Sequence, residues 1–146
     1  MKIVGSLFII ISSILISYRY EATQRQWILN LKSVCRFLEY VRGQIELFSL
    51  PLHIIYEKYN DKTECINALI NKEELDYFSS SLDKELSECF SELGKSYKDE
   101  QLKTLDYAIM KIKKELSQAE KEYAQKIKVF RAIALFVGCS AVILLV

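Results

Sequence analysis

From Trp27 the apolar positions recur at Leu31, Val34, Leu38, Val41, Ile45 and Phe48, alternating by four and three. That period predicts one long amphipathic helix over 23–49 with a narrow apolar seam. Its opposite face carries Arg25, Lys32, Arg36, Glu39 and Glu46. A second seam mirrors it: Leu102, Leu105, Ile109, Ile112, Leu116, Ala119 and Tyr123 keep the same alternation, which continues through Lys126 to Phe130. Ser96 and Asp99 stand at capping-box spacing before it, so a single rod is expected from about 97 to 146. Between the rods, cap signals at Asp61 and Asn71 and a helical period through Leu75, Phe78, Leu82, Leu86, Cys89, Phe90 and Leu93 predict shorter helices. Gly94 then stands where a left-handed helix end is wanted, and Ser79, Ser80 and Ser81 read as an exposed helical turn.

The single proline, Pro51, interrupts this pattern in "SLPLHII". Its ring disfavours helical geometry at Leu50 and removes a donor, so the first long helix must end near Phe48 or Ser49. A missing N–H is harmless in a first turn, so Pro51 also opens the next helix, "LHIIYEKY". The residue is a corner that turns the chain back on itself. With only 4 Gly and 1 Pro in 146 residues, hairpin turns are scarce, and the fold class is all-α: an antiparallel helical bundle.

Both ends of the chain are apolar. Residues 3–18 and 132–146 carry no charge, and each spans roughly 22–24 Å against a hydrocarbon core of about 30 Å. Crossing requires Lys2, Arg19, Lys128 and Arg131 to snorkel, with Val129 and Phe130 counted in. The organisation expected is an N-terminal transmembrane helix at 1–18, a helical bundle at 19–128 and a C-terminal transmembrane helix at 129–146. A cleaved signal peptide is the alternative for the first run, although no small-x-small site follows in "SYRYEATQ"; a buried core helix is the alternative for the last. Arg19, Arg25, Lys32 and Arg36 follow one span and Lys126, Lys128 and Arg131 precede the other, which places the central region in the cytoplasm of a membrane-bound protein.

The net charge of +1 conceals an uneven distribution: +3 over 1–56, −6 over 57–100 and +4 over 101–146. So acidic a middle argues against a nucleic-acid groove. Catalysis finds little support. The one histidine, His53, has no cysteine or carboxylate cluster at ligand spacing beside it and reads as a packing or surface residue. There is no phosphate-cradling glycine loop and no nucleophile elbow. The expectation is a non-enzymatic protein with no catalytic, metal or cofactor residues. Cys35, Cys65, Cys89 and Cys139 show no CxxC pairing and fit free thiols in a reducing compartment.

Two stretches carry a family resemblance. "QIELFSLPLHII", with Gln44 and Ile45 ahead of Pro51 and Leu52, resembles the central motif of the stage III sporulation protein AB family. "LGKSYKDEQ" is similar to that family's second pattern at Leu93, Gly94, Ser96 and Gln101. Gln44 stands where the family often has Glu, Tyr97 where it has Asp, and the stretch between Asn60 and Leu75 is shorter than the family's. The resemblance implies a membrane platform or scaffold component of the secretion-like channel between mother cell and forespore, needed for endospore formation and seated in the mother-cell membrane around the forespore. It further implies a domain like the cytoplasmic domains of type II secretion and type IV pilus platform proteins. The implied partners are a cytoplasmic secretion-type ATPase, stage III sporulation protein AA, and other membrane proteins of the set, with no nucleic acid and no small-molecule substrate.

Within the acidic middle, Glu73, Glu74 and Asp76 are the candidate partner surface, with a merely solvated face as the alternative. A generic membrane-tethered coiled-coil adaptor or sensor is the rival function. There the two seams join separate chains, as a homo-oligomer, rather than pack within one.

Overall fold

Among the described residues five helices follow one another: α1 (Lys2–Phe48), α2 (Leu52–Lys58), α3 (Glu64–Asn71), α4 (Ser80–Glu92) and α5 (Lys98–Leu145). The computed structural model describes the backbone of residues 2–145, and the side chains of 7–138 and 140 apart from Ile9, Ile10 and Ser13. No strand occurs among the described residues, as the scarcity of turn formers requires. Two compact units are present, one of residues 27–117 and one of residues 1–26 with 118–146.

In the unit of 27–117, α1 ends where Pro51 demands. Ser49 closes it in left-handed geometry (φ 49°), with its N–H on the Ile45 carbonyl at 3.2 Å. The Lys98 ammonium donates to the Glu46 carbonyl at 2.8 Å and to Ser49 Oγ at 3.0 Å. A carbonyl that the helix itself leaves without a donor thus gains one from the first residue of α5. Pro51 is the N-cap of α2 rather than its first helical residue, and its carbonyl accepts from Ile54 and Ile55 at 3.1 and 3.2 Å. Since Pro51 donates nothing and sits at φ −59°, an alanine fits the same backbone and acts through the unfolded chain. Pro51→Ala is therefore expected to cost about 0.4–1 kcal/mol. A thermal midpoint that does not fall would count against the corner.

Three helix starts differ from those expected. Thr63, not Asp61, caps α3, its hydroxyl accepting from the Ile66 N–H at 3.4 Å. No helix starts at Asn71: α3 ends there, and Lys72 turns left-handed (φ 58°) to close a Schellman motif, Lys72 N–H to Leu69 and Glu73 N–H to Ala68. Ser79 caps α4, so the triple serine is exposed as expected and forms the cap and first turn of that helix; Asp83 strengthens it by accepting from the Phe78 N–H at 3.2 Å. At α5 the helix begins at Lys98, one residue too late for a Ser96–Asp99 box, and Gln101 Nε2 reaches back to the Ser96 carbonyl at 2.6 Å.

The core of this unit sits where both seams meet. Leu31, Val34, Leu38 and Val41 of α1 and Leu105 and Ile112 of α5 are fully buried, and Ile55, Ile66, Leu69, Leu82, Leu86 and Leu93 close over them. The buried face of α1 is wider than the heptad seam. Ile28, Cys35 and Phe37 are also buried, because α1 packs against more than one neighbour. Arg42 pairs with Asp106, and Lys113 with Glu39 at 2.6 Å, so α1 and α5 run antiparallel here.

In the unit of 1–26 with 118–146, the Tyr20 and Phe130 rings lie 5.5 Å apart and the Tyr123 hydroxyl donates to Glu21 at 3.2 Å. Among the described residues no helix is long and apolar enough to cross a membrane. The spans expected at 1–18 and 129–146 fall on the ends of α1 and α5, and α5 runs unbroken to Leu145 as the single rod was expected to; the side chains of 1–6, 9, 10, 13, 139 and 141–146 lie outside the described residues.

Candidate functional site

The two sequence motifs meet in space. Gly94 (φ +86°) follows α4, and a Cβ placed on it would stand 3.0 Å from Leu52 Cδ1. Leu52, just past the proline corner, thus packs on the backbone that Gly94 leaves bare. Leu93 and Ile45 are buried, while Gln44 is half-buried and Pro51 exposed. Ser96 takes part through its carbonyl, with Gln101 as the donor. The motif residues therefore form a structural junction between the end of α1, the start of α2 and the entry to α5, held at its edge by Lys98. Nothing in the sequence marked Lys98, because a lysine near a helix start has many uses and its reach to Glu46 spans the whole middle of the chain.

Glu73, Glu74 and Asp76 are exposed in the connection between α3 and α4, with only Glu73 bonded, to the Asn71 amide at 3.3 Å. Asp83, another acid of the same segment, is buried as a helix cap and adds nothing to that surface. Burial raises its pKa even though backbone N–H groups favour its charged form.

Of a cluster of five rings, Phe37, Tyr40, Tyr56, Tyr59 and Phe90, the periodicity picked out Phe90 alone. Phe37 lies 4.9 Å from Tyr59, 5.9 Å from Tyr56 and 5.9 Å from Phe90, to which it is stacked. Its signal was its position one residue before Leu38, off the heptad seam but on the same broad face.

Cys35, Cys65 and Cys89 are free and buried. Desolvation pushes the Cys65 thiol up to about 12 and the Cys89 thiol up to about 11, and raises the Tyr56 phenol to about 12. Groups so shifted are poor nucleophiles at neutral pH. All three ionise more readily in the unfolded chain, near 9 for the thiols and 10 for the phenol. Their contribution to stability is thus complete below about pH 9 and is lost as pH rises from there toward 12. Unfolding free energy is expected to fall across that window, with these thiols silent to an aqueous thiol reagent at pH 7 until denaturant is added. Rapid labelling of Cys65 or Cys89 in the folded protein would refute their burial.

His53 is exposed on α2, and no group of three or more metal-ligating side chains occurs among the described residues.

Against known proteins, the family model described as stage III sporulation protein AB matches residues 63–146. The match takes in Leu93, Gly94, Ser96 and Gln101 and leaves out Gln44, Ile45, Pro51 and Leu52. No curated protein and no solved structure matches the chain.

Proposed function

The chain belongs to the stage III sporulation protein AB family, whose role lies in sporulation, and from that premise we propose that it is a non-enzymatic platform of the apparatus between mother cell and forespore. The two chain ends seat in the mother-cell membrane and the central helices lie in the cytoplasm. The observation that carries this reading is the exposure of large apolar side chains at both ends. Phe8 is 68% exposed, Ile16 70%, Leu135 70% and Phe136 76%. Apolar surface this extensive requires a cover, and lipid is one that solvates it on all sides. The basic residues flanking both runs favour the cytoplasmic side for the centre.

The cytoplasmic partner is a secretion-type ATPase, stage III sporulation protein AA, docking on the acidic connection of Glu73, Glu74 and Asp76. Exposure of all three supports this assignment, since none is tied into an ion pair that docking would have to break. Reversal of the three to lysine is expected to weaken co-purification of the ATPase in a salt-dependent way and to lower spore yield. Unchanged binding across a salt series would remove the docking assignment. The adaptor reading, with seams joining separate chains, is disfavoured by the complete burial of Leu31, Val34, Leu38 and Val41 within one chain. Sedimentation of the full chain in detergent as an obligate elongated dimer would reinstate it.

A further inference from the structure

A cleft of about 520 Å³ lies between α1 and α5 in the unit of 1–26 with 118–146. Its two ends differ in chemistry. Ile14, Ile133, Val137 and Gly138 line one end, and Glu21, Tyr123 and Lys126 line the other, with Arg131 also on its wall. From Ile14 to Gln24 the cleft follows about 15 Å of helix. The Glu21 carboxylate accepts from the Tyr123 hydroxyl at 3.2 Å, and Lys126 Nζ lies 5.8 Å from the centre of the Tyr20 ring and 4.0 Å from Glu122.

We propose that this cleft binds one anionic glycerophospholipid, with one of its two acyl chains along the apolar end and its phosphate beside Lys126 and Arg131. The volume falls within the range of ligand pockets, about 300–1,000 Å³. Apolar walls that run into two cations and one hydroxyl-bonded carboxylate suit an amphiphile whose polar end is negative. Gly138 lines the apolar end, and a Cβ there meets nothing within 4 Å, so a larger side chain enters open space without disturbing the backbone. The assignment rests on the proposed seating of both chain ends in a membrane and specifies one lipid within it.

The test uses the purified full chain in mild detergent, with equimolar phosphatidylglycerol and phosphatidylcholine, and native mass spectrometry of what is retained. One phosphatidylglycerol per chain is expected, favoured by about tenfold, the ratio that one charge-assisted hydrogen bond represents. Gly138→Leu should abolish retention by filling the cleft. Lys126→Gln combined with Arg131→Gln should erase the preference between the two lipids while some retention persists. Equal retention of both lipids by the unaltered protein, retention untouched by Gly138→Leu, or a lipid-free mass of two chains would each overturn the proposal. Flotation with phosphatidylglycerol vesicles reads the membrane seating separately. A chain that floats yet retains no lipid in detergent sinks the cleft alone, and a chain that does not float sinks the seating on which the cleft rests.

Discussion

Replacing Phe37 by alanine is expected to lower the unfolding free energy by about 3–5 kcal/mol, the largest loss of any single truncation considered for this chain. Phe37 is 0% exposed and touches rings from two other helices, Tyr56 of α2 and Phe90 of α4, and Tyr59 just beyond α2. Truncation removes the transfer energy of a whole ring and leaves a void whose walls are themselves rigid rings, which collapse poorly. Phe37→Leu keeps most of the volume and should recover most of the loss. The single tryptophan, Trp27, belongs to the same unit and reports its unfolding in urea by fluorescence. A loss below about 1 kcal/mol would mean that the five rings are not a cooperative core.

Gly94→Val should cost about 1–3 kcal/mol, for a reason that can be separated from crowding. At φ +86° a β-branched residue is strained whatever space surrounds it. The nearby atom, Leu52 Cδ1 at 3.0 Å, is the tip of a flexible side chain and can give way. Most of the penalty should therefore persist when Leu52→Ala is already present, and Gly94→Asn, which tolerates left-handed backbone, should cost less than either. If Leu52→Ala instead abolishes the penalty, the glycine is needed for room and not for conformation.

The long elements were legible because their causes are local. A seam at heptad spacing and one proline suffice to place the end of α1, and Gly94 falls where its conformation is needed. What escaped was decided between chemically similar choices or at a distance. Asp61, Thr63, Asn71 and Ser79 can all cap a helix, and only the packing of Cys65, Ile66 and Leu82 selects Thr63 and Ser79. The ring cluster draws on α1, α2, α4 and the residue after α2, and no sequence window contains all of it. The acidic run misled in part: a count of charge by segment treats Asp83 like Glu73, yet one is a buried cap and the other faces solvent. Leu52 and Gly94, singled out in two separate motifs, meet at one junction, and no single stretch of sequence shows that contact.

The Lys98 contact with Glu46 and Ser49 has a consequence for how such chains can vary in length. It fixes points 49 and 52 positions apart at the same spot, so everything between them, including α2, α3 and α4, is a closed insert whose entry and exit do not move. Closing a loop costs only about 0.6 kcal/mol more for each doubling of its length. Residues can thus be gained or lost in the open connections at 59–63 and 72–79 while α1 and α5 keep their register. A change of length between Asn60 and Leu75 is one that the two long helices never have to feel.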